Sequence, residues 1–306
     1  MYIKRAINHG TEADTTLPSL RRYFTDIHGD FLIQSIEFAN DIKWILSRWS
    51  LIQETNNCLY NIQNVLLRFN SNFKLFYMPY MFLRKDDSRE QTVAFANALL
   101  KLFILLDIVE AGYSTTRFKP FLFNINMEIG KGTSTEQIIQ KIYEHITKSF
   151  NKTEIEKQIA ESDVGGSLIY LNEVLFSIEN GASLGFLSRK NYNIEHIMPA
   201  SGKDIDAIRA DAGIASVEEF SSLANKLGNK ILLEENINKS AGRDSFIIKK
   251  QNSVKKKSGY KDSSYPIAKS LSSYPKDTWG KKDIEDSTQK AVSRICGFIF
   301  DKESKI

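Results

Sequence analysis

From Phe31 to Ile178, apolar residues recur at spacings of three and four, and no stretch alternates as a half-buried strand does. Phe31, Leu32, Ile36, Ala39, Ile42, Leu46 and Trp49 mark one such face, and Leu59, Ile62, Val65, Leu66 and Phe69 mark a second over Cys58–Phe69. Phe73–Leu83 reads as a third helix, which Pro79 starts or kinks. Ser88 is a candidate N-cap for a long helix from Arg89 to Ala111, which Gly112 stops. Ser134 opens Thr135–Phe150, with Glu136 and Gln137 in its first turn, and Thr153–Ser162 and Leu168–Ile178 follow. The chain should therefore be mainly α, with a helical domain over residues 1–180.

The run Thr92–Ala111 is the most apolar, but it contains Asn97, Lys101, Asp107 and Glu110. A spanning helix needs about 20 nearly uncharged residues, so a buried core helix is expected. The N-terminus lacks the apolar core of a secretory signal. Cys58 and Cys296 form no CxxC pair, which excludes a structural zinc site built from cysteine pairs. Both are expected reduced, in a cytoplasmic protein. His9, His28 and His145 stand alone, with no carboxylate or cysteine at ligand spacing, so the helical domain offers no chemistry.

The character changes after Asn180-Gly181. Residues 192–199 form a short apolar strand, with Glu195 and His196 near its end and Pro199 closing it. Lys203–Lys226 has helical spacing; Leu227-Gly228-Asn229 reads as a turn and 230–233 as a second strand. Glu234–Lys257 is a polar helix with a break near Gly242, and Asp283–Phe300 is a closing amphipathic helix. Charge divides along the same line. Residues 1–185 carry 19 Lys+Arg and 21 Asp+Glu, a net of −2, whereas residues 186–306 carry 22 and 16, a net of +6. A basic half points to a polyanionic partner.

A strand with a Glu-His pair, a turn with an asparagine, a second strand and a helix with asparagines make a ββα-metal layout. Ile194-Glu195-His196-Ile197-Met198-Pro199, Leu227-Gly228-Asn229 and Glu235-Asn236-Ile237-Asn238-Lys239-Ser240 resemble the three motif pieces of HNH (His-Me finger) nucleases. The nine-residue step from Asn229 to Asn238 is similar to that in the HNH domain of RNA-guided CRISPR nucleases. The closer resemblance is to the C-terminal domain of GmrSD-type modification-dependent restriction endonucleases. It adds Phe246-Ile247-Ile248-Lys249-Lys250 and the Ser/Tyr-rich stretch to Trp279, and spans roughly residues 165–300.

The resemblance implies a nuclease domain over 181–306 that hydrolyses DNA with Mg²⁺ or Mn²⁺, in a restriction or phage-defence role. His196 would take a proton from water, as an imidazole with a pKa near neutrality can. Glu195 and Asn238 would offer oxygens to one hard cation, and Asn229 would orient the imidazole. Lys239, Arg243, Lys249, Lys250, Lys255, Lys256 and Lys257 would track the nucleic-acid backbone, since lysines are point charges suited to phosphate. The gap between His196 and Asn229 is wider than in compact HNH units, so its inserted helix should pack outside the site. The family's nucleotide-hydrolysing sensor domain is absent, and the chain reads as a C-terminal fragment or as a subunit working with another chain. Two other readings stay open: a catalytically silent nucleic-acid-binding module, and a helical protein-interaction subunit.

Overall fold

The computed structural model describes residues 39–44, 46–47, 58–109, 114–189, 191–251 and 258–306. The chain divides into two compact units, Met1–Ser149 and Phe150–Ile306. The expected helices over 1–57 fall mostly outside the described residues, although 39–44, 46 and 47 are helical.

In the first unit, α1 (Cys58–Phe69), α2 (Lys74–Leu83), α3 (Arg89–Val109), α4 (Thr115–Lys131) and α5 (Thr135–Ser149) follow in order. Ser88 and Gln91 cap α3 reciprocally: Ser88 Oγ accepts from the Gln91 N–H, and Gln91 Oε1 accepts from the Ser88 N–H. Ser134 and Gln137 do the same for α5. Among the described residues, α3 is the helix long and apolar enough to cross a membrane, yet most of it is buried within the unit. Its Lys101 is fully buried and donates to Tyr143 Oη at 2.8 Å, so a polar partner offsets the cost of burial. Pro79 lies inside α2 rather than at its start.

The second unit holds α6 (Lys152–Glu161), α7 (Gly166–Glu179), β1 (Asn193–His196), α8 (Ile205–Asp211), α9 (Val217–Ala224), β2 (Lys230–Leu233), α10 (Glu235–Ala241), α11 (Phe246–Gln251), α12 (Pro266–Leu271) and α13 (Lys281–Phe300). β1 and β2 pair antiparallel, with Glu195 opposite Ile231 and His196 opposite Lys230. The expected helix over 203–226 is two helices. Gly213 breaks it at φ +70°, and Ser216 caps α9 by accepting from the Glu219 N–H at 3.0 Å. Gly242, at φ +55°, makes the expected break between α10 and α11. α7 packs on β2, α12 and α13, so the compact division falls at Ser149, ahead of the boundary expected near residue 180.

Asn229 ends a 3-10 turn over Leu227–Asn229, which rests against α13. A Cβ on Gly228 would lie 2.3 Å from the Ile284 carbonyl oxygen and 2.4 Å from the Thr288 nitrogen. Only glycine permits that approach, and the Gly228 N–H donates to Thr288 Oγ1 at 3.1 Å. The C-terminal helix thereby fixes the start of β2, and with it the strand opposite His196.

Candidate active site

His196 ends β1 half-buried. Successive side chains on a strand point to opposite faces, so Glu195 and His196 face different surroundings. On the face of His196 lie Lys230, directly across the strand pair, together with Asp163 and Asn225. Burial lowers the imidazole's proton affinity, and the charges of Lys230 and Lys249 lower it further; Asp163 and a hydrogen bond with the Asn225 side chain oppose them. The net shift is downward, so His196 is neutral at pH 7 and able to accept a proton.

Asn225 was not among the residues expected here. It lies just beyond α9 in the segment inserted between the two strands, so that insertion contributes to the site rather than packing outside it. Its Nδ2 donates to the Ser221 carbonyl at 3.2 Å, which leaves Oδ1 for the imidazole. No short motif marks it; the only local signal is an asparagine four residues before Asn229.

Asn229 does not orient the imidazole as expected. Its amide is fully buried: Oδ1 accepts from the Met198 N–H at 2.7 Å, and Nδ2 donates to the carbonyls of Met198 at 2.9 Å and Ala224 at 3.0 Å. With the Ile197 N–H donating to the Asn229 carbonyl at 2.9 Å, the residue clamps the chain just after His196. It acts on His196 through the backbone.

On the other face, the Glu195 carboxylate is buried. Its Oε1 pairs with Lys249 Nζ at 2.6 Å and accepts from Tyr260 Oη at 3.0 Å. Burial pushes the Glu195 carboxyl up and the Lys249 ammonium down, and each partner opposes the other's shift. Lys249 Nζ also donates to the His196 carbonyl at 2.7 Å, so the ammonium is well surrounded by acceptors. Asn238 is half-buried on α10, which packs on β1. Among the described residues, no hydrogen bond joins it to Glu195 or His196, and no group of three or more His, Cys, Asp or Glu could hold a metal.

Glu195 and Asn238 therefore do not fit the expected two-ligand cation site. A hard cation at Glu195 Oε1 would meet the Lys249 ammonium already there, and the two positive charges would repel.

The lysines expected on a nucleic-acid face divide. Lys249 and Lys250 are buried. Lys250 Nζ donates to the carbonyls of Tyr274 at 2.6 Å and Lys276 at 3.0 Å and pairs with Asp277, pinning the segment before Trp279. Neither ammonium is free to meet a phosphate. Lys239 and Arg243 are exposed, and Lys239 pairs with Glu235 one turn earlier on α10. Lys255, Lys256 and Lys257 lie outside the described residues. The Ser/Tyr-rich stretch is packing: Tyr260, Tyr265 and Trp279 are buried, and Ser263 and Ser264 donate to Glu234.

This arrangement — a strand-end histidine, a second strand after an LGN turn, and a helix carrying asparagine — can be compared with known families. Residues 122–292 match the family model of the GmrSD restriction endonucleases, C-terminal domain. The chain belongs to this family. The GmrSD match covers β1, β2 and α10, and it begins within α4, well before the strands. The chain thus carries a nuclease domain of the restriction-endonuclease type, within a mainly α fold. No curated protein and no solved structure matches it.

Proposed function

We propose that the chain is a metal-dependent endonuclease that hydrolyses DNA phosphodiester bonds, with His196 as the base that takes a proton from the attacking water. The observation that carries the reading is the neutral, half-buried imidazole at the end of β1, held by Asn225 and by a backbone clamped through Asn229. Phosphodiester hydrolysis needs that base, and it needs charge neutralisation on the phosphate. The net charge of +6 over residues 186–306 suits a polyanion, and the exposed Lys239 and Arg243 suit its backbone.

A divalent cation, Mg²⁺ or Mn²⁺, belongs to this proposal as a requirement of the reaction, without Glu195 as its ligand. Asn238 is the oxygen donor expected of the motif whose side chain is not already hydrogen-bonded among the described residues. Mg²⁺ commonly keeps several waters and takes phosphate oxygens from its substrate, so a sparse protein contribution is compatible with it. The proposal assigns the activity to a restriction or phage-defence system in the cytoplasm, with a nucleotide-hydrolysing sensor domain or subunit as partner, and with residues 1–180 positioning that partner or the DNA. Incubating the chain with plasmid DNA, with and without Mg²⁺ or Mn²⁺, tests the activity. Cleavage that EDTA abolishes is expected. Binding without cleavage under any divalent ion would favour a silent nucleic-acid-binding module.

A further inference from the structure

Lys230 differs from the other buried lysines of this unit. Lys249 and Lys250 each pair with a carboxylate and are also anchored on backbone carbonyls, whereas among the described residues Lys230 is held by the carboxylate of Asp163 without such a carbonyl. That pair is lopsided. The Lys230 side chain is 7% exposed and Asp163 is 66% exposed, so the cation is fixed while the anion borders solvent. Lys230 sits directly opposite His196 in the strand pairing, and directly opposed residues share one face of the sheet. Both members of the pair act on the imidazole, Lys230 lowering its proton affinity and Asp163 raising it. The segment leading to Asp163 is itself tethered, because Lys226 Nζ donates to the Ala160 carbonyl at 2.9 Å.

We infer that Lys230 is the cation that receives the scissile phosphate beside His196, and that Asp163 occupies the phosphate's place in the free protein. This rests on the nuclease reading of the same site. An ammonium is a point charge suited to phosphate, and a charge held in a water-poor setting interacts more strongly than one in bulk solvent. An incoming phosphodiester exchanges one anion for another at Lys230, and Asp163 turns out into solvent. No bond to Lys230 is made or broken. The exchange adds selectivity, because only a ligand able to outbid a tethered carboxylate reaches the imidazole.

The test is a binding titration of a short fluorescein-labelled DNA duplex in EDTA over several salt concentrations, with wild type, Lys230→Met, Asp163→Asn and the double variant. Cleavage rates with Mg²⁺ are measured in parallel. Asp163→Asn should tighten binding by about two- to five-fold, the size of a solvent-bordered ion pair that no longer has to be broken. Lys230→Met should weaken binding and reduce the salt slope by about 0.9, the value for one lost phosphate contact on duplex DNA. The double variant should bind like Lys230→Met alone, since Asp163 acts through Lys230. An Asp163→Asn protein that binds no tighter than wild type overturns the inference. So does a wild type that does not bind the duplex, or a Lys230→Met protein that binds like wild type. If Lys230→Met does not fold, the Asp163→Asn arm still decides. A wild type that binds but never cleaves defeats the nuclease reading and leaves the anion exchange to be judged by the binding arms.

Discussion

The side-chain amide of Asn229 grips Met198 at both ends of its peptide, accepting from its N–H at 2.7 Å and donating to its carbonyl at 2.9 Å. A third hydrogen bond, to the Ala224 carbonyl at 3.0 Å, ties the same amide to the end of α9. One buried residue thus fixes the exits of both segments that supply His196 and Asn225.

Asn229→Asp should be more damaging than Asn229→Ala. The carboxylate would face two carbonyl oxygens that now receive hydrogen bonds, and a charged group would be buried without a cation. Leaving buried partners unsatisfied costs roughly 1–3 kcal/mol each, so Asn229→Ala should lose a few kcal/mol. Urea unfolding of the two variants checks the order. A wild-type midpoint for either would remove the clamp from the account.

Lys249→Met should destabilise by about 3–5 kcal/mol, because it strands the buried Glu195 carboxylate. Glu195→Gln in the same protein should recover much of the loss, since the charge that needed a partner is gone. Thermal unfolding of the single and double variants measures this. A double variant as unstable as Lys249→Met would mean that the lysine acts through its contact with the His196 carbonyl alone.

Much of this layout is legible in the sequence. The order of Glu195-His196, Leu227-Gly228-Asn229 and Asn238 places β1, the turn, β2 and α10, because short motifs at strand ends and turns carry their geometry locally. The roles are less legible. A Lys-Lys pair reads as an exposed face for phosphate, and only the tertiary fold brings Lys249 to a carboxylate 54 positions earlier in the chain. Gly228 reads as a turn glycine, yet its function is contact with α13, which the sequence places far downstream. Asn225 has no motif at all; it matters because α9 ends beside His196.

Glu173 predicts a pH dependence of stability. Its carboxyl is buried on α7, accepts from the Ile267 N–H at 2.9 Å, and has its second oxygen buried with no hydrogen-bond partner among the described residues. Burial pushes its pKa up from 4.5 to about 8. The folded value lies above the unfolded one, so the native state binds the extra proton. Stability is then full below the unfolded value and falls as pH rises towards the folded one, by about 1.4 kcal/mol for each tenfold change in proton affinity. Glu173→Gln should flatten this decline and be the more stable protein at alkaline pH. Chemical denaturation at acid and alkaline pH checks it, and parallel curves for the two proteins would place the ionised carboxylate in the fold at no cost.

The basic run at Lys255, Lys256 and Lys257 should contact backbone rather than bases. Replacing all three by alanine should weaken binding to every DNA sequence alike and flatten the salt slope by roughly 0.9 per lost contact. Titrations on two unrelated duplexes give both quantities. An unchanged slope would assign this run to a solvated face and shift attention to Lys239 and Arg243.

The most direct measurement is the Mg²⁺-dependent plasmid cleavage rate of His196→Ala beside wild type, with circular dichroism to confirm that the variant is folded. Loss of a general base lowers rates by about 10²- to 10⁴-fold, and that is the loss expected here. A folded His196→Ala protein that cleaves at the wild-type rate would contradict the account, which assigns the proton transfer to the imidazole at the end of β1.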